Sequence, residues 1–61
     1  MYAKYVKLRD KLGVNDAKVA KATGIPPSTF TDWKHGKSCP KLPKLMKLAN
    51  YFEVPLEDLI G

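Results

Sequence analysis

The sequence predicts an all-α domain built from five short helices within 61 residues. Apolar side chains recur at intervals of three and four residues, which is the spacing of one face of a helix. Glycines and prolines stand between these stretches, at positions where helices end and begin. A chain of this length is near the lower limit for folding without disulfides or metals, and the local contacts of helices suit so small a core.

The first helix is predicted from Tyr5, Leu8 and Leu12, which form an apolar series at helical spacing. Lysines fall between them and give the helix a charged outer face. Gly13 is expected to end this helix after about ten residues.

The second helix starts at a residue suited to cap it and ends at a glycine. Asn15 is a good N-cap because its side chain can accept a hydrogen bond from a free amide of the first turn. The helix is expected to extend to about Thr23, with Val19 and Ala20 directed inward. Gly24 can adopt the left-handed conformation that ends a helix sharply.

The next segment completes a helix-turn-helix pattern, in which two helices are joined by a turn of three or four residues. Ile25 precedes a proline and is pushed towards an extended conformation, whereas Pro27 suits the first position of a third helix. Phe30 and Trp33 lie one turn apart and are expected to face the core. The polar outer face of this helix, which extends to His35, consists of Ser28, Thr31, Asp32 and His35.

Two further helices are predicted after a loop at residues 37–40. The fourth is expected from Leu42 or Pro43 to Phe52, and Pro55 opens a short fifth helix. We find no repeat or linker and expect residues 1–61 to form one domain. The apolar positions are Leu45, Leu48, Ala49 and Phe52 in the fourth helix and Leu56, Leu59 and Ile60 in the fifth.

The charge distribution indicates a polyanionic partner. The sequence has 11 Lys and Arg against 6 Asp and Glu, a net charge of +5. Three of the acidic residues lie after position 52, so residues 1–52 carry 11 basic and three acidic residues, a net charge of +8. Charge alone is compatible with nonspecific nucleic-acid binding but does not establish it.

Several classes of function are disfavoured. Cys39 cannot form an internal disulfide, which favours a reducing cytoplasm, and we expect it to be a half-buried loop residue. His35 and Cys39 alone do not make a metal site, and we expect no metal or cofactor. The chain has no apolar run of the roughly 18 residues needed to span a membrane, and the lysines of the fourth helix are an ordinary solvated face. One His, one Cys and a short chain do not favour an enzyme.

Taken together, these elements resemble the lambda-repressor-like, Cro-type helix-turn-helix family of phage and bacterial repressors. The resemblance extends from about Tyr5 to Ile60. It implies a five-helix domain that places its third helix in the major groove of double-stranded DNA, usually as a dimer on a two-fold symmetric, palindromic operator. The matching pieces are Leu8-Arg9, Val19-Ala20, Gly24-Ile25, Trp33 to Gly36-Lys37, Pro40, Leu48-Ala49 and residues 54–60.

The resemblance implies that base recognition falls on the third helix, at Pro27, Ser28 and Asp32, with Thr29 and Thr31 as neighbours. Hydroxyls can donate or accept at several base edges. A carboxylate can accept from the amino group of cytosine and is repelled by phosphate, so we expect Asp32 over the bases. The alternative is that Asp32 is an ordinary solvated residue.

The same resemblance implies phosphate contacts on both sides of this helix. Helix N-terminal amides suit anions whatever the side chain is, which places one contact at the start of the second helix. The other contacts fall at the end of the third helix and in the loop that follows. The residues concerned are Asn15, Asp16, Lys18, His35, Lys37, Ser38 and Lys41.

Three residues depart from the family pattern. Asp16 stands where a glutamine that touches phosphate is common, so a direct contact by this side chain is in doubt. Lys34 stands where many members have a glutamate paired with the arginine of the first helix, so Arg9 needs another partner, for which Asp10, Asp32 and solvent remain open. Pro26 replaces a common capping Ser or Thr.

Two questions stay open at the level of sequence. Leu56, Leu59 and Ile60 are candidates for a dimer contact, and the alternative is that they only seal the core. The function implied by the resemblance is that of a phage-type repressor that acts by occluding its operator, with a protein antirepressor as a further possible partner. The alternative is an antitoxin-like or partner-regulated interaction module of the same fold.

Overall fold

A computed structural model describes all residues from Met1 to Gly61, and its regular secondary structure is helical throughout. The helices are α1 (Tyr2–Leu12), α2 (Asp16–Thr23), α3 (Pro27–Lys34), α4 (Leu42–Phe52) and α5 (Glu57–Ile60). α1 packs against α4 and α5, while α2 packs against α3 and α4. None of these helices combines the length and apolar composition that crossing a membrane would require.

The helix ends follow the capping residues. Gly13 and Gly24 end α1 and α2 with φ values of 76° and 75°, a region that is costly for residues with a Cβ atom. α4 ends differently, because its C-cap is Glu53 with φ of 57°. The amide of Val54 donates to the Ala49 carbonyl at 3.0 Å, and the amide of Glu53 donates to the same carbonyl, so two bonds close the end of the helix.

The core is built around the ring of Tyr5. This ring is fully buried and its centroid lies 5.4 Å from that of Phe30, 5.1 Å from that of Trp33 and 6.0 Å from that of Phe52. Aromatic pairs at such distances add stability beyond the area they bury. Phe30 and Trp33 face the core as predicted, and the remaining buried apolar residues are Val19, Ala20, Ile25, Leu45, Leu48, Ala49 and Leu59.

Some predicted details are wrong. Leu12 is 53% exposed because the chain turns away at Gly13 immediately after it, and Cys39 is exposed rather than half-buried. α3 ends at Lys34, with His35 as its C-cap. α5 begins at Glu57 instead of at Pro55, because residues 55–58 form a tight turn. In this turn the amide of Asp58 donates to the Pro55 carbonyl at 3.0 Å.

Candidate nucleic-acid interface

A short turn presents α3 at the surface. The amide of Gly24 donates to the Ala20 carbonyl at 2.8 Å, which closes the last turn of α2. Ile25 is only 2% exposed and anchors the turn in the core. Its amide donates to the hydroxyl of Thr23 at 3.4 Å. Pro27 then begins α3 at a position where its missing N–H is not needed.

α3 has one face in the core and one in solvent. Phe30 and Trp33, which are 2% and 5% exposed, hold the helix from behind. Ser28, Thr31 and His35 are exposed and lie at intervals of three and four residues, hence on one face. All side-chain hydrogen bonds of the protein lie elsewhere, so the polar groups of α3 have no intramolecular partner.

The predicted base-reading residues occupy two environments. Pro27, Ser28 and Thr31 are exposed, and Asp32 is half-buried on the same polar face, one turn from Ser28. Thr29 is half-buried and lies to the side, in a groove between α3 and the start of α4. Four of the five residues therefore lie at the exposed start or on the outer face of α3, and Thr29 lies at the edge of that face, one turn from Asp32.

The groove beside α3 collects residues that were predicted to contact bases or phosphates. Thr29 shares it with Ser38 and Lys41. The remaining lining residues are Cys39, Pro40, Pro43 and Lys44, so the groove holds two lysines and no carboxylate. A groove of this charge next to the polar face suits a phosphate backbone.

The lysines of the domain are not neutralised by ion pairs. Both ion pairs of the protein are made by Arg9, so no lysine nitrogen lies within 4.0 Å of a carboxylate oxygen. The predicted phosphate contacts Lys18, Lys37 and Lys41 are exposed, and so are His35 and Ser38. Their charge and hydrogen-bonding groups are free to meet a polyanion.

At the start of α2, two predicted phosphate contacts already have partners. The side-chain oxygen of Asn15 accepts a hydrogen bond from the Lys18 amide at 2.9 Å, which confirms the predicted cap. Asp16 Oδ1 accepts from the Tyr5 hydroxyl at 2.5 Å and from Arg9 Nη1 at 3.0 Å. The carboxylate is thus occupied by α1, and a phosphate contact at this end would use the first amides of α2 instead.

Arg9 has a partner that the sequence analysis missed. Of the alternatives left open, Asp10 is confirmed, with an ion pair of 3.1 Å, and Asp32 is wrong. The second partner is Asp16. Seven residues separate the two in the sequence, and only the angle that the Gly13 turn sets between α1 and α2 brings them together. The guanidinium also lies 5.8 Å from the centroid of the Tyr5 ring.

These contacts shift two pKa values. Burial raises the pKa of the Tyr5 phenol far above its ordinary value, and the hydrogen bond to the Asp16 carboxylate raises it further. The hydrogen bond to Asp16 is also the main reason why the pKa of Arg9 is raised, against the opposing effect of its desolvation. Around neutral pH the phenol is therefore a neutral donor and the guanidinium a full positive charge.

The three apolar residues of the C-terminal segment do not share one environment. Leu59 is fully buried in the core, so of the two alternatives left open it fits the second: it seals the domain where α5 meets α1. Leu56 is half-buried and packs against the core. Ile60 is 46% exposed and is the member of this set that remains accessible to another molecule.

Comparison with known proteins assigns the fold to a family, since residues 7–59 match the helix-turn-helix family. The chain belongs to that family. It is also 32% identical over 54 residues to the cryptic phage CTXphi transcriptional repressor RstR of Vibrio cholerae, an alignment that covers 88% of this chain and 49% of the relative. The chain thus spans about half the length of this curated relative.

No solved structure matches the chain significantly. The family assignment and the five-helix architecture nevertheless confirm the resemblance inferred from the sequence. A DNA-binding helix-turn-helix places its second helix in the major groove. In this chain that helix is α3, whose outer face has no intramolecular partner.

Proposed function

We propose that this protein is a phage-type transcriptional repressor that reads double-stranded DNA with α3 and acts by binding alone, without catalysis. One observation carries the proposal. The outer face of α3 holds hydroxyls and a carboxylate that no other part of the protein uses, on a helix fixed from behind by Phe30 and Trp33. The likeness to a phage transcriptional repressor supports the regulatory role.

Base recognition is assigned to the exposed end and face of α3. The first residues of a recognition helix contact base edges, which gives this role to Pro27 and Ser28. Thr31 and Asp32 follow on the same face, where the carboxylate can accept from the amino group of cytosine. Thr29 lies at the border between bases and backbone, because it shares its groove with Lys41.

Backbone contacts are assigned to both flanks of α3. On one side, His35 and Lys37 follow α3 in the sequence, and Ser38 and Lys41 line the basic groove. On the other, the first amides of α2 offer an anion site, with Lys18 one turn further on. Such contacts fix the register of the protein on DNA without reading sequence.

We further propose that two copies bind one operator. The domain measures 25 × 23 × 19 Å, so two copies side by side fit half-sites one helical turn, roughly 34 Å, apart. A dimer of this kind would occlude a promoter. Ile60 is exposed at the C-terminal end and is the apolar residue of α5 that such a contact can use.

Selection of bound sites from a random duplex pool tests the proposal. We expect a palindromic consensus whose half-site centres lie about 10 base pairs apart. A pool that gains no consensus, while binding still weakens steeply with salt, would contradict sequence reading and leave a nonspecific binder. If no duplex associates even at about 50 mM salt, DNA binding itself is refuted.

A second candidate function is a partner-regulated interaction module. It is favoured by Glu57, Asp58 and Ile60, which place two carboxylates and an apolar side chain in solvent on one short helix. The uncompensated lysines oppose it, because a domain without a polyanionic ligand gains nothing from unpaired positive charge. The random-pool experiment separates the two, since the module would retain no duplex.

A further inference from the structure

The start of α2 combines two features that conflict in a DNA-binding surface. The first amides of this helix, those of Asp16 and Ala17, have no partner within the helix and carry the positive end of its dipole. The side chain of Asp16 nevertheless brings a negative charge to the same place. A mobile carboxylate there would repel an incoming phosphate and would itself be attracted to the amides.

The Asp16 carboxylate is bound by two side chains of α1. Arg9 Nη1 and the Tyr5 hydroxyl, both from α1, donate to the same oxygen of Asp16. Arg9 is in turn fixed by Asp10, whose Oδ1 lies 3.1 Å from both Nε and Nη2. This two-pronged contact orients the guanidinium and leaves Nη1 aimed at Asp16.

We propose that Arg9 is a positioning residue for DNA binding: together with Tyr5 it holds the Asp16 carboxylate against α1 and leaves the open end of α2 to a phosphate. The inference rests on the proposed function. Arg9 acts through Asp16 and not by touching DNA, because each of its three side-chain nitrogens already faces a carboxylate and its side chain is only 22% exposed.

A double-mutant cycle tests this role. The affinity for one short, nonspecific, fluorescently labelled duplex is measured by anisotropy at low salt for the wild type, Arg9→Met, Asp16→Asn and the double variant. Lys7→Met is the matched control, because it removes one exposed positive charge from the same helix without a contact to Asp16. Its effect gives the cost of lowering the net charge by one.

We expect Arg9→Met to weaken binding about tenfold, clearly more than Lys7→Met, since the freed carboxylate adds repulsion close to a phosphate. In the Asp16→Asn background, Arg9→Met should cost no more than Lys7→Met. An equal loss in both backgrounds would mean that Arg9 acts on DNA through its own charge and would overturn the inference. Losses no larger than that of Lys7→Met in both backgrounds would overturn it as well.

Two conservative variants separate positioning from folding. Tyr5→Phe keeps the buried ring and removes one of the two donors, so it should weaken binding in the same direction as Arg9→Met but less. Arg9→Lys should restore part of the affinity because an ammonium can still pair with Asp16. All variants are compared at a temperature where circular dichroism shows each to be folded. If Tyr5→Phe leaves the affinity unchanged and Arg9→Lys restores none of it, the inference is refuted.

The outcomes also distinguish this inference from the function on which it rests. If the wild type binds no duplex, both fail. If the wild type binds duplex with a steep salt dependence but the cycle shows no coupling between positions 9 and 16, only the positioning role of Arg9 fails.

Discussion

The starts of α2 and α3 belong to the same helix-turn-helix but are built in opposite ways. α2 begins with a side-chain cap from Asn15 and a carboxylate held by two donors from α1. α3 begins after Pro26, without a side-chain cap, and its polar side chains make no hydrogen bond within the protein.

This difference separates structural from recognition groups. At the start of α2, Asn15 caps the helix and Asp16 binds α1, so these two side chains are occupied and the first backbone amides remain for a ligand, with Lys18 beside them. At α3, apolar side chains alone provide the attachment, through Phe30 and Trp33, and every polar side chain remains free. Substitutions on the outer face of such a helix can change its DNA sequence preference without loss of stability.

The largest expected effect breaks the attachment of α3. Phe30→Ala should destabilise the domain by about 3–5 kcal/mol, because it removes a large buried side chain and leaves a cavity. That is a third or more of the stability of a domain of this size, roughly 3–9 kcal/mol. Thermal unfolding followed by circular dichroism measures it. Ser28→Ala, on the opposite face, should stay within about 0.5 kcal/mol of the wild type. Equal melting temperatures of the two variants would contradict the description of α3 as a helix with one buried and one exposed face.

The second prediction concerns the outer face of α3. Asp32→Ala should reduce discrimination at one base-pair position by about 1–3 kcal/mol and leave stability unchanged. Competition binding with operators substituted one position at a time measures this change. Lys41→Gln is the contrasting variant, expected to weaken all sequences alike and to lower the salt slope by about 0.9. Unaltered base preference in Asp32→Ala would remove this residue from the reading face.

The third prediction concerns the polar attachment of α2 at high pH. The pKa of Tyr5 is raised in the folded state. The protonated phenol therefore contributes fully to the stability of the fold below about pH 10, the pKa of tyrosine in the unfolded chain, and this contribution is lost as the pH rises above that value. The loss approaches about 1.4 kcal/mol per pH unit. Urea unfolding between about pH 9 and 11 should therefore give a steeper decline for the wild type than for Tyr5→Phe. Parallel declines would show that the phenol does not govern alkaline stability.

The smallest effect removes the cap of α2. Asn15→Ala should cost about 1 kcal/mol, since the Lys18 amide loses its acceptor. Asn15→Asp retains an acceptor oxygen and should unfold close to the wild type. Chemical denaturation of the three proteins provides the comparison, and a loss in Asn15→Asp equal to that in Asn15→Ala would exclude the cap as the cause.

Local signals were sufficient to predict most of the fold. Gly13, Gly24 and Asn15 act through the backbone of the residues beside them, so their effects can be read from the sequence. Glu53 is the exception. Its left-handed conformation is not a property of glutamate, and it is maintained by the neighbouring Val54, whose side chain packs on the core and whose amide pairs with the end of α4.

The site was predictable where it depends on helical periodicity and not where it depends on packing between helices. The polar face of α3 follows from the positions of Phe30 and Trp33. The pairing of Arg9 with Asp16 requires the angle between α1 and α2, which no spacing within either helix encodes. Leu59 was ambiguous for the same reason, because an apolar residue on a terminal helix packs inward or outward according to what lies beneath it.

The attachment of α3 also makes the domain spectroscopically self-reporting. Trp33 is the sole tryptophan, and its ring centroid lies 5.1 Å from that of Tyr5 and 5.4 Å from that of Tyr2. At such separations, the excitation energy that either phenol absorbs is transferred to the indole, which emits it as fluorescence. Detachment of α3 from α1 interrupts this transfer, so intrinsic fluorescence records the docking of α3 without any added dye.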